Sequence, residues 1–169
     1  MELIMSQVQT EREMEETAVL AARIWHEYYL FLISKEQIEY MIEKFQSVTA
    51  IADQINRQGY TYFLMRNEEA VVGYLAVKEE EGSLFLSKFY IAREYRGRGY
   101  ASRASEFLER LCEERGLSHI WLTVNRDNRD SIAVYEKKGF RTVREQVADI
   151  GNGFVMDDYV MEKEIKLPH

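Results

Sequence analysis

FYIAREYRGRGYASRASEFL, residues Phe89 to Leu108, passes from a β-like apolar run, through two glycines flanked by arginines, into an amphipathic helix-forming pattern. The first turn of a helix carries N–H groups without intrahelical partners and a partial positive charge, and glycines there let an anion approach the backbone closely. The natural guest is phosphate. RGRGYA is not a dinucleotide fingerprint, because Ser102 stands where the third glycine of G-x-G-x-x-G belongs, and it lacks the Gly-Lys-Ser/Thr of a nucleoside-triphosphate loop. What remains is a run of amides, Gly97 to Ser102, able to wrap a pyrophosphate without a metal. Taken alone, an Arg-Gly turn at a helix start is also simply a turn.

Downstream, Ala101, Ala104, Leu108, Leu111 and Cys112 share a helical face that stops at Gly116, and HIWLTV is an apolar run of strand length. Strand, helix and strand in that order predict a parallel pair. Upstream, YTYFLMR, AVVGYLAV and SLFLSKFYI are rich in aromatic and β-branched residues and are separated by short polar breaks, which predicts three antiparallel strands. Before them come helical patterns. Thr10 with Glu13 forms a capping-box signature ahead of Met14, Ala18, Ala21, Ile24, Trp25 and Tyr28. Ser34 with Gln37 repeats it ahead of Ile38, Met41, Ile42 and Phe45, and a shorter segment through Ala50, Ile51 and Ile55 stops near Gly59. At the other end a helix is expected over Asp130–Lys138, with a left-handed cap at Gly139, followed by a hairpin of FRTVREQVADI and FVMDDYVMEKEI around GNG. No linker or repeat interrupts the chain, and its only proline is Pro168. The order predicts a single domain over residues 1–169 of α/β class, built on one mixed sheet.

A chain of 169 residues with 46% hydrophobic content suits one core. The formal charge of −7 argues against nucleic acid, whose binding relies on clustered basic residues, and favours a cationic small molecule. Cys112 is the lone cysteine, and MELIMSQVQT has neither a basic segment nor an apolar run of signal-peptide length, so a cytoplasmic location is expected. No apolar stretch is long enough to span a membrane. His26, His119 and His169 are scattered, so no metal site is expected.

A second motif follows the first: in NRDNRDSIAVYEKKGF, Asn128 precedes Ser131 and Tyr135, which sit four apart on one helical face ahead of Gly139 and Phe140. Together with FYI and RGRGYA it resembles the GNAT acetyltransferase superfamily, over about Tyr60 to Ile165. The resemblance implies acetyl-CoA as cofactor and acetyl transfer to an amine, on a mostly antiparallel sheet whose central parallel pair splays around the cofactor. It assigns Arg96, Gly97, Arg98, Gly99, Tyr100, Ala101 and Ser102 to the CoA pyrophosphate. Phe89, Tyr90 and Ile91 match the strand that pairs with the pantetheine arm, one of whose amides faces the thioester oxygen. Asn128 matches the asparagine that bonds the CoA arm, and Ser131 a small residue lining the same channel. Tyr135 matches the tyrosine that protonates the departing thiolate; a tyrosine hydroxyl titrating near pH ~10 keeps its proton where a thiol near ~8.5 accepts one. A core tyrosine beside Ile132 is the alternative reading.

On the acceptor side, Trp25, Tyr28, Asp157 and Asp158 supply the aromatics and carboxylates that an alkylammonium pocket needs. The core for the two aromatics, and a solvated hairpin edge for the two acids, are the alternatives. SKEQIEYMIEKFQS and GFVMDDYVME resemble the PaiA-type branch of bacterial polyamine acetyltransferases. A protein N-terminus or lysine as acceptor, or a non-catalytic acyl-CoA module, remains open. Thr123 stands where members acting on protein N-termini often carry glutamate. The terminal hairpin and exposed sheet edges leave a homodimer open, and no residue is assigned as the general base.

Overall fold

The computed structural model describes residues 2–166; Pro168 and His169 lie outside the described residues. By its contacts the chain divides into two compact units. One comprises the chain up to Lys78 together with Lys88–Leu108, and the other Glu79–Ser87 together with the chain from Glu109. The hydrogen-bonded strand order is β1-β2-β3-β4-β5-β7-β6, with ranges as follows.

In the first unit β1 (Ile4–Gln7) pairs antiparallel with β2 (Tyr60–Arg66), and β2 with β3 (Val71–Glu80). β1 is a correction to the sequence reading, which opened on helices. Four residues, IMSQ, with only the middle two half-buried, are too short to show a period. Three helices follow: α1 (Glu11–Tyr29), α2 (Lys35–Gln46) and α3 (Val48–Arg57). Each begins on a hydroxyl, from Thr10, Ser34 and Ser47, that accepts a first-turn N–H. Thr10 and Glu13 form the full reciprocal box. The buried positions of α1 are Met14, Thr17, Ala21, Ile24, Trp25 and Tyr29, so Thr17 and Tyr29 occupy places the apolar pattern gave to Ala18 and Tyr28. Thr17 is buried at no polar cost because its hydroxyl donates to the Glu13 carbonyl at 2.7 Å.

The amides of Thr10 and Gln9 hold the Glu13 carboxyl below its usual range. A folded pKa below the unfolded one means that this stabilisation is complete above the ordinary glutamate pKa of ~4.3 and is lost as pH falls through the lower folded value. Glu13→Gln is therefore expected to melt below wild type at pH 7, with the gap closing in strongly acidic buffer; melting curves of both proteins across that range check it.

A buried polar chain ties these helices to the sheet. The Trp25 indole N–H donates to the Tyr74 hydroxyl (2.8 Å), which donates to the Gln46 carbonyl (2.7 Å). The Gln46 amide donates to the Tyr62 hydroxyl (2.9 Å), which donates to Gln54. Gln54 ends the chain on the Phe45 carbonyl at 2.8 Å. Burial raises both Tyr62 and Tyr74 well above the ordinary tyrosine pKa, so these hydroxyls serve as neutral links.

β4 (Ser83–Ile91) contributes to both units. In the second unit Ser83, Leu84 and Phe85 pair in parallel with His119, Ile120 and Trp121 of β5 (His119–Asn125), giving the expected parallel pair. α4 (Tyr100–Arg115) connects β4 to β5 and ends before Gly116, whose φ is +66°. β7 (Phe154–Glu164) pairs antiparallel with β5 and with β6 (Arg141–Gly151). α5 (Arg129–Lys137) begins one residue earlier than its apolar pattern indicates, because Asn128 is the cap. No helix among the described residues is long and apolar enough to cross a membrane.

Candidate active site

The loop at the head of α4 adopts the conformation that its glycines permit. Gly97 and Gly99 have φ of +76° and +84°, in the left-handed region, with Arg98 between them. A Cβ at either would meet nothing within 4 Å, so backbone conformation and not crowding calls for glycine here. The first bond of the α4 ladder runs from the Arg103 amide to the Gly99 carbonyl at 3.2 Å, so the amides of Tyr100, Ala101 and Ser102 precede it. Alternating conformations with a helix start behind them form a backbone nest, and such a nest fits a pyrophosphate.

Two side chains set this loop's position. The Arg96 Nε donates to the Ile91 carbonyl at 3.1 Å and its guanidinium lies 5.3 Å from the Tyr28 ring centre, which returns the loop to the end of β4. The Tyr100 ring is buried and its hydroxyl accepts from the Asn67 amide at 3.1 Å. Asn67 also accepts the Glu69 and Ala70 amides through its carbonyl, both at 2.8 Å, and so shapes the β2–β3 turn. The sequence reading missed Asn67; an Asn before Glu-Glu signals a turn, and nothing local links it to Tyr100.

At the end of β4, Tyr90 is half-buried in an aromatic group with Trp25, Tyr28, Tyr29 and Tyr74. Its hydroxyl meets that of Tyr29 at 2.8 Å, and burial, with Tyr29 adding to it, raises its pKa well above the ordinary value. Phe89 is half-buried and Ile91 buried.

In the second unit the Asn128 side chain caps α5 by accepting the Ser131 amide at 3.2 Å. No α5 residue is buried, and its two ends carry the Asn128 cap and Gly139 at φ +97°, followed by buried Phe140. Tyr135 is half-buried, with its ring edge-on to Phe140 at 5.5 Å. Asn128, Ser131 and Tyr135 thus belong to one short, locally stabilised segment.

The acceptor residues are placed less simply. Trp25 is 2% exposed and its N–H is used by Tyr74, which is a core placement. Its ring and that of half-buried Tyr28 each carry a cation of the chain itself, Lys88 at 5.7 Å and Arg96 at 5.3 Å. Asp157 is ion-paired with Arg126 at 3.0 Å, and Asp158 is buried opposite Asn125 and Gln146 in the ladder. A concavity of about 330 Å³ in the second unit, lined in part by His119, Trp121, Arg144 and Glu162, includes none of the candidate residues. Cys112 is buried and its thiol is pushed up to about 11, chiefly by burial, which leaves it unreactive.

Residues 21–140 match the profile of the acetyltransferase (GNAT) family. The chain belongs to that family. An uncharacterized N-acetyltransferase of Mycobacterium tuberculosis is 24% identical over 152 residues, which is 89% of this chain and 97% of the relative. Among solved structures, PaiA N-acetyltransferase of Thermoplasma acidophilum in complex with coenzyme A superposes with a TM-score of 0.79, at 19% identity, over 97% of this chain and 99% of that one. The ribosomal-protein-S18-alanine N-acetyltransferase of Escherichia coli superposes with a TM-score of 0.69, at 18% identity, over 99% and 97%. The α/β architecture with its parallel β4–β5 pair is the GNAT fold, and as a family member this GNAT chain is an acetyl-CoA-dependent N-acetyltransferase.

Proposed function

We propose that this enzyme acetylates the primary amine of a small acceptor, with Tyr135 as the acid and the amides of Gly97–Ser102 as the pyrophosphate seat. The observation that carries the reading is the pair of left-handed glycines at the head of α4, which gives the loop an anion-accepting shape. Acetyl-CoA, when bound, supplies the activated acetyl thioester. Arg96 and Arg98 add positive charge beside the phosphate seat, and one amide of Phe89–Ile91 donates to the thioester oxygen as negative charge develops there. Asn128 spends its carbonyl on Ser131, so its part toward the CoA arm falls to its amide donors. Tyr135 gives its proton to the leaving sulfur, and the attacking amine must first lose its own. We assign all of these roles to one domain in the cytoplasm.

A polyamine is the acceptor class suggested by the resemblance of the second helix and the terminal hairpin to PaiA-type enzymes, and the charge of −7 suits such a cation. Thr123, in place of a glutamate, favours a small amine over a protein N-terminus. The engagement of Trp25, Tyr28 and Asp157 by Lys88, Arg96 and Arg126 makes zwitterionic amines the essential comparison.

Thiol release from acetyl-CoA against spermidine, spermine, aminoglycosides, amino acids and short peptides, each compared with a blank lacking acceptor, tests the reading. Release with spermidine or spermine above all others is expected. Release with amino acids or peptides alone would transfer the acceptor assignment to them.

A further inference from the structure

We infer that Gly73 is a positioning residue for acetyl transfer: its missing side chain lets the end of β4, Tyr90 and Ile91, lie close against β3 and aim its amides at the thioester. This rests on the acetyl-CoA reading above. Gly73 lies in β3 opposite Met65, beside the register shift between Met65 and Arg66 that leaves Val72 as an extra residue. Its φ is not among the positive ones, so conformational freedom does not explain glycine here. Space does. A Cβ at Gly73 would stand 2.3 Å from the Tyr90 carbonyl oxygen, 3.0 Å from the Ile91 Cα and 3.0 Å from the Met65 Cε.

The Met65 methyl can swing aside, whereas the two backbone atoms can give only if the strand end moves. Carbon and oxygen in close but ordinary contact sit ~3.3 Å apart or more, so a methyl requires displacement on the order of 1 Å. That end is held from its other sides as well. The Ala92 amide donates to the Val72 carbonyl at 2.8 Å, Arg96 grips the Ile91 carbonyl, and the Tyr90 hydroxyl meets Tyr29. With Ala92 fixed to the residue beside Gly73, the clearance at Gly73 sets how Tyr90 and Ile91 are aimed. A misplacement of ~1 Å in a reacting geometry can cost ~10²-fold in rate.

The test is the affinity of the full chain for acetyl-CoA and for CoA, by calorimetry, because CoA lacks the carbonyl that the β4 amide would meet. Gly73→Ala is expected to weaken acetyl-CoA about tenfold, roughly the worth of one charge-assisted hydrogen bond, while CoA changes by less than about twofold. Ile51→Ala, a truncation of a buried α3 residue outside this strand end, should lower the melting temperature and leave the ratio of the two affinities unchanged. Tyr29→Phe keeps its ring, removes the hydroxyl that meets that of Tyr90, and should shift the ratio in the same direction by about threefold, a fraction of one hydrogen bond. Equal weakening of both ligands in Gly73→Ala, or an equal ratio change in Ile51→Ala, overturns the inference. So does an unchanged ratio in Tyr29→Phe when Gly73→Ala does not fold. A wild-type protein that binds neither ligand overturns the acetyl-CoA seat as well, whereas binding of both with ratios indifferent to these variants overturns this inference alone.

Discussion

Tyr135→Phe is expected to lower turnover by about 10²–10⁴-fold, the range for a positioned general acid, while acetyl-CoA binds as before. The substitution suits the question because it removes only the hydroxyl. The ring contact with Phe140 at 5.5 Å persists, as do the Asn128 cap and the Gly139 end of α5. Without the hydroxyl the thiolate leaves unprotonated, a penalty felt in the chemical step and not in ground-state binding, so kcat should fall with little change in the KM for acetyl-CoA. The loss should also be smaller with an acyl donor whose thiol is more acidic, because a better leaving group needs less help. Steady-state rates with both donors, and calorimetric titration of acetyl-CoA, read all three. Turnover within about threefold of wild type would remove Tyr135 from the proton transfer, since a general acid contributes far more than that.

Gln46→Leu produces the largest loss of stability expected here from one near-isosteric change. Gln46 is 0% exposed and is the junction of the buried chain, accepting from Tyr74 and donating to Tyr62. Leucine fills much of the space but leaves the Tyr74 proton without its acceptor and takes a donor from Tyr62. At roughly 1–3 kcal/mol for each buried polar group left unpaired, the cost is about 2–4 kcal/mol. For a chain of this length that corresponds to a fall in melting temperature of roughly 5–12 °C. Tyr74→Phe together with Gln46→Leu should cost less than the two single losses added, because each single change strands the partner that the double change removes. A fall below about 2 °C for Gln46→Leu would mean that water or a rotated side chain satisfies Tyr74, and that the chain does not hold the helices to the sheet.

Much of the architecture is legible in the sequence because its signals are short. Thr10 finds Glu13 within one turn, Ser34 finds Gln37, and Gly59, Gly116 and Gly139 stop helices where only a positive φ will serve. The glycine loop at the head of α4 is legible for the same reason, since a nest is made by consecutive residues. The loss of β1 from the sequence reading has the opposite cause: IMSQ becomes a strand because Ser6 and its neighbours find Leu64 and the rest of β2, far along the chain.

The acceptor side shows where local reading stops. Trp25 and Tyr28 differ by three positions on one helix, and the apolar period treats them alike. One is nevertheless closed off by Tyr74, 49 residues away, while the other stays half-buried beneath Arg96. Asp157 and Asp158 are adjacent acids whose alternation on β7 sends one to Arg126 and buries the other.

By itself, then, the sequence determined the element order, the helix caps, the loop at the head of α4 and the α5 motif, because each depends on backbone geometry and periods that a few neighbouring residues complete. Only the tertiary structure decided that Gln46 is a junction, that Asn67 anchors Tyr100, and that Gly73 is a clearance for Tyr90. Those roles are set by partners 16 to 33 residues distant, or by the space that another strand leaves, and no spacing along the chain encodes them.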